Sequence, residues 1–330
     1  MINDTFFSEI KNCYNKINVI DLFFELDFQT INFHKKNKDA FIKHHLLTTK
    51  FCPKNVSFFL HNHDNYIRIV YNNGELVFYL FGDRKNDVPN LNKLLLSIKR
   101  AIVIKQILNI KKNIDIYLIF SPFQRFITKG IIDSNNINGG FTSYTDGLSH
   151  ASIYVTRREE YDKVMLHEII HNCSYINKNE FSHDNLQKLK IAFNLSKKLT
   201  LIPNEAIVEL WAVLMHCVFL SLEYSLPYNE LLNIEKNHSL LQSKKIISKQ
   251  GNKKWMEKTN AYCYIVFKTI LLYNLEFFSK GYTYPYSSNY VTNFLIENKN
   301  TVFQNYNEIN FEYMKKIRSL KSLRMTFLHD

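Results

Sequence analysis

The sequence predicts an α+β chain in which a small mixed sheet and a central helix precede a mostly helical C-terminal part. Three observations carry that prediction. Short runs rich in Ile, Val, Tyr and Phe, bounded by turn residues, gather before residue 157. After Trp211 the apolar residues lengthen into runs of helical length. Hydrophobic residues make up 46% of the 330 residues and aromatic residues 15%, which supplies a sizeable core and excludes disorder over most of the chain.

Taken in order, residues 1–110 read as a separate α+β region and residues 111–330 as the second domain. Phe58-Phe59-Leu60, Tyr66 to Tyr71 and Leu76 to Leu80 are expected as a meander, with Asn72-Asn73-Gly74 as a hairpin turn. A helix is expected from about Asn90 to Ile110. His61 and His63, with Asp64, fall in the first loop of that meander and read as polar surface, since no third ligand converges on them. Ile114 to Phe120, stopped by Ser121-Pro122, and Ala151 to Thr156 are two further strands. The final helix is expected from Phe311 to Phe327.

His167-Glu168-Ile169-Ile170-His171 is the strongest chemical signal in the chain. At about 100° per residue on a helix, the two histidines stand one above the other and can share a single metal ion, with Glu168 beside it. Zn²⁺ accepts imidazole nitrogen readily and, with three protein ligands, keeps a fourth position for water. The preceding run Tyr161 to Leu166 is helix-forming and free of Gly and Pro, with Glu159 and Glu160 near the helix start.

The third ligand is sought in Pro203-Asn204-Glu205-Ala206-Ile207-Val208-Glu209-Leu210-Trp211-Ala212. Pro203 suits the first turn of a helix, and Glu205 and Glu209, four apart, share one face. The helix from Ala206 to Leu222 is otherwise so apolar that it should be buried, and buried carboxylates need partners. Ligation by Glu205, with Glu209 orienting a histidine, meets that need; a surface charge pair is the plainer alternative.

These motifs resemble the gluzincin group of metallopeptidases, which pair HExxH with a glutamate on a following helix. Asn204-Glu205-Ala206-Ile207 followed by an acid at Glu209 is similar to the Asn-Glu-Ala-Ile-Ser-Asp run of thermolysin-like enzymes. The resemblance implies a zincin-like catalytic domain at residues 111–330, with an edge strand and an active-site helix. It implies one zinc ion held by His167, His171 and Glu205, Glu209 supporting a histidine, and Glu168 as general base in peptide hydrolysis. The gap from His171 to Glu205 is longer than in thermolysin-like or aminopeptidase members and comparable to that of clostridial neurotoxin light chains. The likeness covers these motifs alone.

In zincins, a stretch placed like Gly139-Gly140-Phe141-Thr142-Ser143-Tyr144 is an edge strand that holds an extended substrate. Gly140, Phe141 and Thr142 are therefore the expected substrate-binding residues, and Gly139 and Gly140 permit close backbone approach. An ordinary Gly-Gly turn before a strand is the alternative. Gluzincin aminopeptidases carry a glutamate here for the substrate's amino terminus; none occurs in this stretch, which points to an endopeptidase. A catalytic tyrosine on a downstream helix makes Tyr262 and Tyr264 the candidate oxyanion donors, of which helical geometry turns only one inward. Both also read as core aromatics. His183 and His238 are weaker candidates, read as surface histidines.

Cys13, Cys52, Cys173, Cys217 and Cys263 form no CxxC pair and are odd in number, which argues against a disulfide framework and for a reducing, cytoplasmic setting. Met1-Ile2-Asn3-Asp4 lacks the basic start of a secretory leader, so none is expected. The Ala206 to Leu222 run contains Glu209 and is slightly short for a membrane span, so no span is expected. Net charge +12 raises a rival class, a nucleic-acid-associated protein, through Lys244-Lys245, Lys253-Lys254 and Lys315-Lys316-Ile317-Arg318 to Arg324. That charge is diffuse and no nucleic-acid-binding motif accompanies it. A non-catalytic zincin-like scaffold is the other alternative. The expected partner is a protein or peptide substrate.

Overall fold

Alternation of side chains along six strands builds one mixed sheet from the first half of the chain. The computed structural model describes residues 4–82, 87–143, 149–173, 180–281, 286–303 and 322–328. The strands are β1 (Asp27–Asn32), β2 (Asn65–Tyr71), β3 (Leu76–Phe81), β4 (Asn113–Ile119), β5 (Gly140–Ser143) and β6 (His150–Val155). They lie in the order β1-β2-β3-β4-β6-β5. β1, β2 and β3 pair antiparallel, β3, β4 and β6 are parallel, and β5 closes one edge antiparallel to β6.

The chain divides into two compact units. The sheet-bearing unit, residues 2–125 and 138–173, also holds α1 (Asp4–Lys16), α2 (Val19–Glu25), α3 (Lys35–Phe41), α4 (Asn55–His61), α5 (Leu91–Ile107) and, from the second segment, Tyr161–Ile170. A parallel pair needs a crossover, and α5 supplies it between β3 and β4. Its start is fixed by Asn90, whose side chain accepts the Lys93 N–H. The other face of the sheet is covered by α3, the π-helical turn Ile42–Leu46 and α4, through Phe33, Ile42, Leu46, Val56 and Leu60 packed on Phe81, Phe141 and Tyr154. There one rung of the ladder is aromatic across four strands. Tyr79 stacks on Tyr117 at 4.6 Å, Tyr117 on Tyr154 at 4.7 Å and Tyr154 on Phe141 at 4.7 Å.

The helical unit, residues 126–137 and 174–328, contains α6 (Ser134–Ile137), α8 (His183–Ala192), α9 (Asn204–Tyr224), α10 (Tyr228–Gln250), α11 (Lys268–Tyr273), α12 (Leu275–Gly281), α13 (Ser288–Glu297) and α14 (Asn300–Phe303); Tyr161–Ile170 is α7 in this numbering. α9 packs on α10, on α11 and on the π-helical turn Tyr262–Phe267 that leads into α11. Ala206 to Leu220 is buried without a break. By length and composition α9 alone among the described helices is apolar enough to cross a membrane, yet 83% of its apolar window is buried inside the protein.

Several expectations need correction. Phe58-Phe59-Leu60 is not a strand but part of α4: Val56 and Leu60, four apart, are fully buried while Phe58 is 73% exposed, a helical pattern. His61 and His63 therefore sit at the end of a helix, where Lys38 donates to both carbonyls and to Asp64. β1 was not foreseen, because its six residues are mostly polar and mostly exposed. The expected boundary at residue 110 falls between α5 and β4, inside the sheet-bearing unit. Of the helix expected from Phe311 to Phe327, residues 322–328 are non-helical and bridge through Ser322 to Phe126; the rest lies outside the described residues, as do Lys315, Lys316 and Arg318. All five cysteines are free.

Candidate metal centre

α7 carries the histidine pair, and its first turn is fastened by charge. Glu160, in the left-handed region at φ 60°, precedes the helix and takes the guanidinium of Arg125, both side chains fully buried. The backbone N–H of Arg125 donates to Glu159 Oε2 at 2.7 Å, and Arg100 Nη1 donates to Asp162 Oδ2 at 2.7 Å. The Tyr161 hydroxyl meets Ser97 Oγ at 2.9 Å, tying α7 to α5. Burial, with Arg125 nearby, pulls the Arg157 guanidinium down to about 9 while it donates to Asn138 O and Phe123 O. Such a set of buried ion pairs costs desolvation and returns a defined helix position.

From that start, helical spacing brings His167 and His171 together. Their rings cross at 71° with centroids 4.9 Å apart, and the two Nε2 atoms are separated by 3.1 Å. Two nitrogens each about 2.0–2.1 Å from one tetrahedral ion would stand about 3.3 Å apart, so the pair suits Zn²⁺ with little adjustment. Among the described residues, His167, His171 and Glu205 form a group in which one ligand atom from each lies within 4.8 Å of the others. Glu205 stands in the first turn of α9, with Pro203 at the N-cap, and Glu209 one turn later is fully buried.

Glu168 is held from β5. Thr142 Oγ1 donates to Glu168 Oε2 at 2.8 Å, and Asn172 Nδ2 donates to the Glu168 carbonyl at 3.1 Å. Strand alternation puts Gly140 and Thr142 on the α7 side of β5 and sends Phe141 to the opposite core. Phe141 is 7% exposed and stacked on Tyr154, so its side chain serves the core. A Cβ at Gly140 would lie 2.8 Å from Tyr154 O, 2.9 Å from Val164 and 3.1 Å from Glu168 Cγ; one at Gly139 would collide with Arg125. The space those glycines open is therefore filled by the protein's own chain. The role of Thr142 toward Glu168 was missed in the sequence, although period-two alternation from Gly140 was the available signal. Tyr144 lies outside the described residues.

Tyr262 and Tyr264 are both buried in the π-helical turn, contrary to the expectation that one alone would point inward. The segment is enclosed on every side, since all residues from Ala261 to Leu272 are buried, so both tyrosines meet core. The Tyr262 hydroxyl donates to Gln250 Oε1 at 3.2 Å, and burial pushes its pKa up. His238 is buried as well, its Nε2 3.0 Å from the Arg324 carbonyl, while His183 is exposed at the start of α8. No family model, curated protein or solved structure matches the chain.

Proposed function

We propose that this chain is a zinc-dependent peptidase of gluzincin type that cuts within peptide chains. The observation that carries the reading is the histidine pair of α7, 3.1 Å apart at Nε2, with a carboxylate on the intervening residue held by the edge strand. His167, His171 and Glu205 would hold the ion, and Glu209 would steady a histidine ligand. Zinc would supply a Lewis acid for the scissile carbonyl and an acidified water.

Within that scheme Glu168 takes the proton of the attacking water and returns it to the leaving amine. Thr142 fixes which carboxylate oxygen is turned away from the strand. The backbone of Gly140 to Thr142, on a strand paired on one side by β6, offers its other side to an extended substrate. Tyr262 and Tyr264 are the candidate oxyanion donors of this scheme, and Tyr262 would first have to release its hydrogen bond to Gln250.

Elemental analysis of the purified protein, followed by digestion of a peptide library with and without chelator, tests the proposal. Bound zinc and chelator-sensitive cleavage at internal bonds are expected. Absence of zinc, or cleavage indifferent to chelator, overturns it.

A further inference from the structure

Residues 322–328 are a non-helical segment of the helical unit, and side chains of α9 and α10 hold it by its backbone. On α10, Lys245 Nζ donates to Ser322 O at 2.7 Å and His238 Nε2 donates to Arg324 O at 3.0 Å. From α9, His216 Nε2 donates to Leu328 O at 3.0 Å. Between them, Glu235 Oε1 accepts the consecutive N–H groups of Phe327 and Leu328, each at 2.8 Å, together with the Thr326 hydroxyl. Ser322 also bridges antiparallel to Phe126.

Most of these contacts recognise main chain, which any peptide supplies. Sequence is chosen by the rest. Leu323 is fully buried and Met325 nearly so, with Arg324 half-buried between them, and Thr326 adds the hydroxyl that meets the carboxylate. The cleft also needs an occupant. Glu235 is fully buried and its Oε2 has no donor among the described residues, so without the segment Oε1 would lose its three donors as well. A buried carboxylate stripped of donors is strongly disfavoured.

We infer that α9 and α10 form a peptide-binding site whose occupant is the C-terminal segment of this sequence, seated in cis by residues 322–328 and in trans by the same segment of a second molecule once the resident one is displaced. Complementarity chooses this occupant, because the fit of these residues to Glu235, His216, His238 and Lys245 is already displayed. The bonds are non-covalent, so they do not distinguish a segment joined to the same chain from one that is separate. What favours the resident segment is its effective concentration.

The test uses the full chain carrying Thr326→Asp, which sets a carboxylate against Glu235 and displaces the resident segment by like-charge repulsion. The probe is a fluorescent, end-blocked peptide with the natural sequence of residues 322–328. Anisotropy should show it binding that variant at least about tenfold more tightly than the wild type, whose site is open for only a small fraction of the time. The same peptide bearing Thr326→Asp should bind neither protein. Should the variant lose its helical circular dichroism, an excess of the natural peptide should restore it. Equal binding to both proteins, no binding to the variant, or a variant left unfolded in excess peptide would overturn the inference. So would a scrambled peptide that binds as well as the natural one, which would take sequence recognition away from the cleft. Neither zinc nor hydrolysis enters these readouts.

Discussion

In the helical unit the buried carboxylate of Glu235 ends on the backbone N–H groups of Phe327 and Leu328, 2.8 Å away, and on the Thr326 hydroxyl. In the sheet-bearing unit the buried imidazole of His167 has that of His171 at 3.1 Å. In the first arrangement one oxygen, Oε1, meets three donors from the protein's own chain, while Oε2 is buried without a donor among the described residues. The second sets two ring nitrogens face to face, an arrangement that a single shared cation suits. Burial of polar side chains is thus no sign of chemistry. What separates α7 from the helical core is the kind of partner its polar groups meet.

Replacement of Glu168 should break the comparison most visibly. Glu168→Gln keeps the Thr142 contact and the helix, so thermal stability and zinc content should stay near wild type while turnover falls by about 10²–10⁴-fold. Equal turnover in the variant removes Glu168 as the base. Glu205→Ala should act on the metal instead, weakening zinc retention at least about 100-fold, more than loss of a group that merely supports a ligand. Retention measured against a chelator series checks it, and unchanged retention moves the third ligand elsewhere.

The next effect belongs to the helical unit and is one of stability. Glu257 is fully enclosed and accepts the Tyr262 backbone N–H at 3.1 Å; burial raises its pKa to about 8 from 4.5, with the hydrogen bonds to its carboxyl pulling the other way. The folded state then binds a proton that the unfolded state releases between those values. Its contribution is complete below pH 4.5 and is lost as pH rises through about 8, by up to about 1.4 kcal/mol per pH unit. Denaturant melts at pH 5 to 9 should show this slope, and Glu257→Gln should flatten it.

Thr142 returns to the sheet-bearing unit with a smaller change. Thr142→Val keeps the shape and removes the donor to Glu168 Oε2, which should lower turnover about tenfold, the worth of one charge-assisted hydrogen bond, with zinc content unchanged. Thr142→Ser should restore it. If serine fails where threonine succeeds, the methyl packing of β5 matters and the hydroxyl does not.

Legibility followed the same division. HExxH could be read because helical spacing alone decides which side chains meet, and α7 keeps that spacing without interruption. β2, β3, β4 and β6 announced themselves through β-branched and aromatic runs. Other features depended on partners distant in sequence. Phe58-Phe59-Leu60 looks like a strand until Val56 is seen to share its buried face, and the polar residues of β1 are extended because β2 pairs with them. The contact of Thr142 with Glu168 crosses from a strand to a helix, so alternation from Gly140 gives the face on which Thr142 stands but not the partner it meets. The π-helical turn at Tyr262 escaped because the sequence pattern distinguishes helix from strand more readily than one helical pitch from another.

Tyr262 gives the smallest effect and the sharpest contrast with α7. Its ring packs edge-on against Phe193 and Phe267, its hydroxyl donates to Gln250, and Gln250 in turn donates to the Phe193 carbonyl at 2.9 Å. The phenol therefore closes a chain of hydrogen bonds within the helical core. Tyr262→Phe leaves the ring packing intact and strands one acceptor of Gln250, so it should cost about 1 kcal/mol of stability by denaturant titration and leave turnover unchanged. Tyr264→Phe, two residues on, should lower turnover if its hydroxyl serves the oxyanion. A Tyr262 variant that loses turnover at full stability would show that its hydroxyl leaves Gln250 during the reaction, and the line drawn between a self-satisfied core and a reactive helix would then run through the π turn itself.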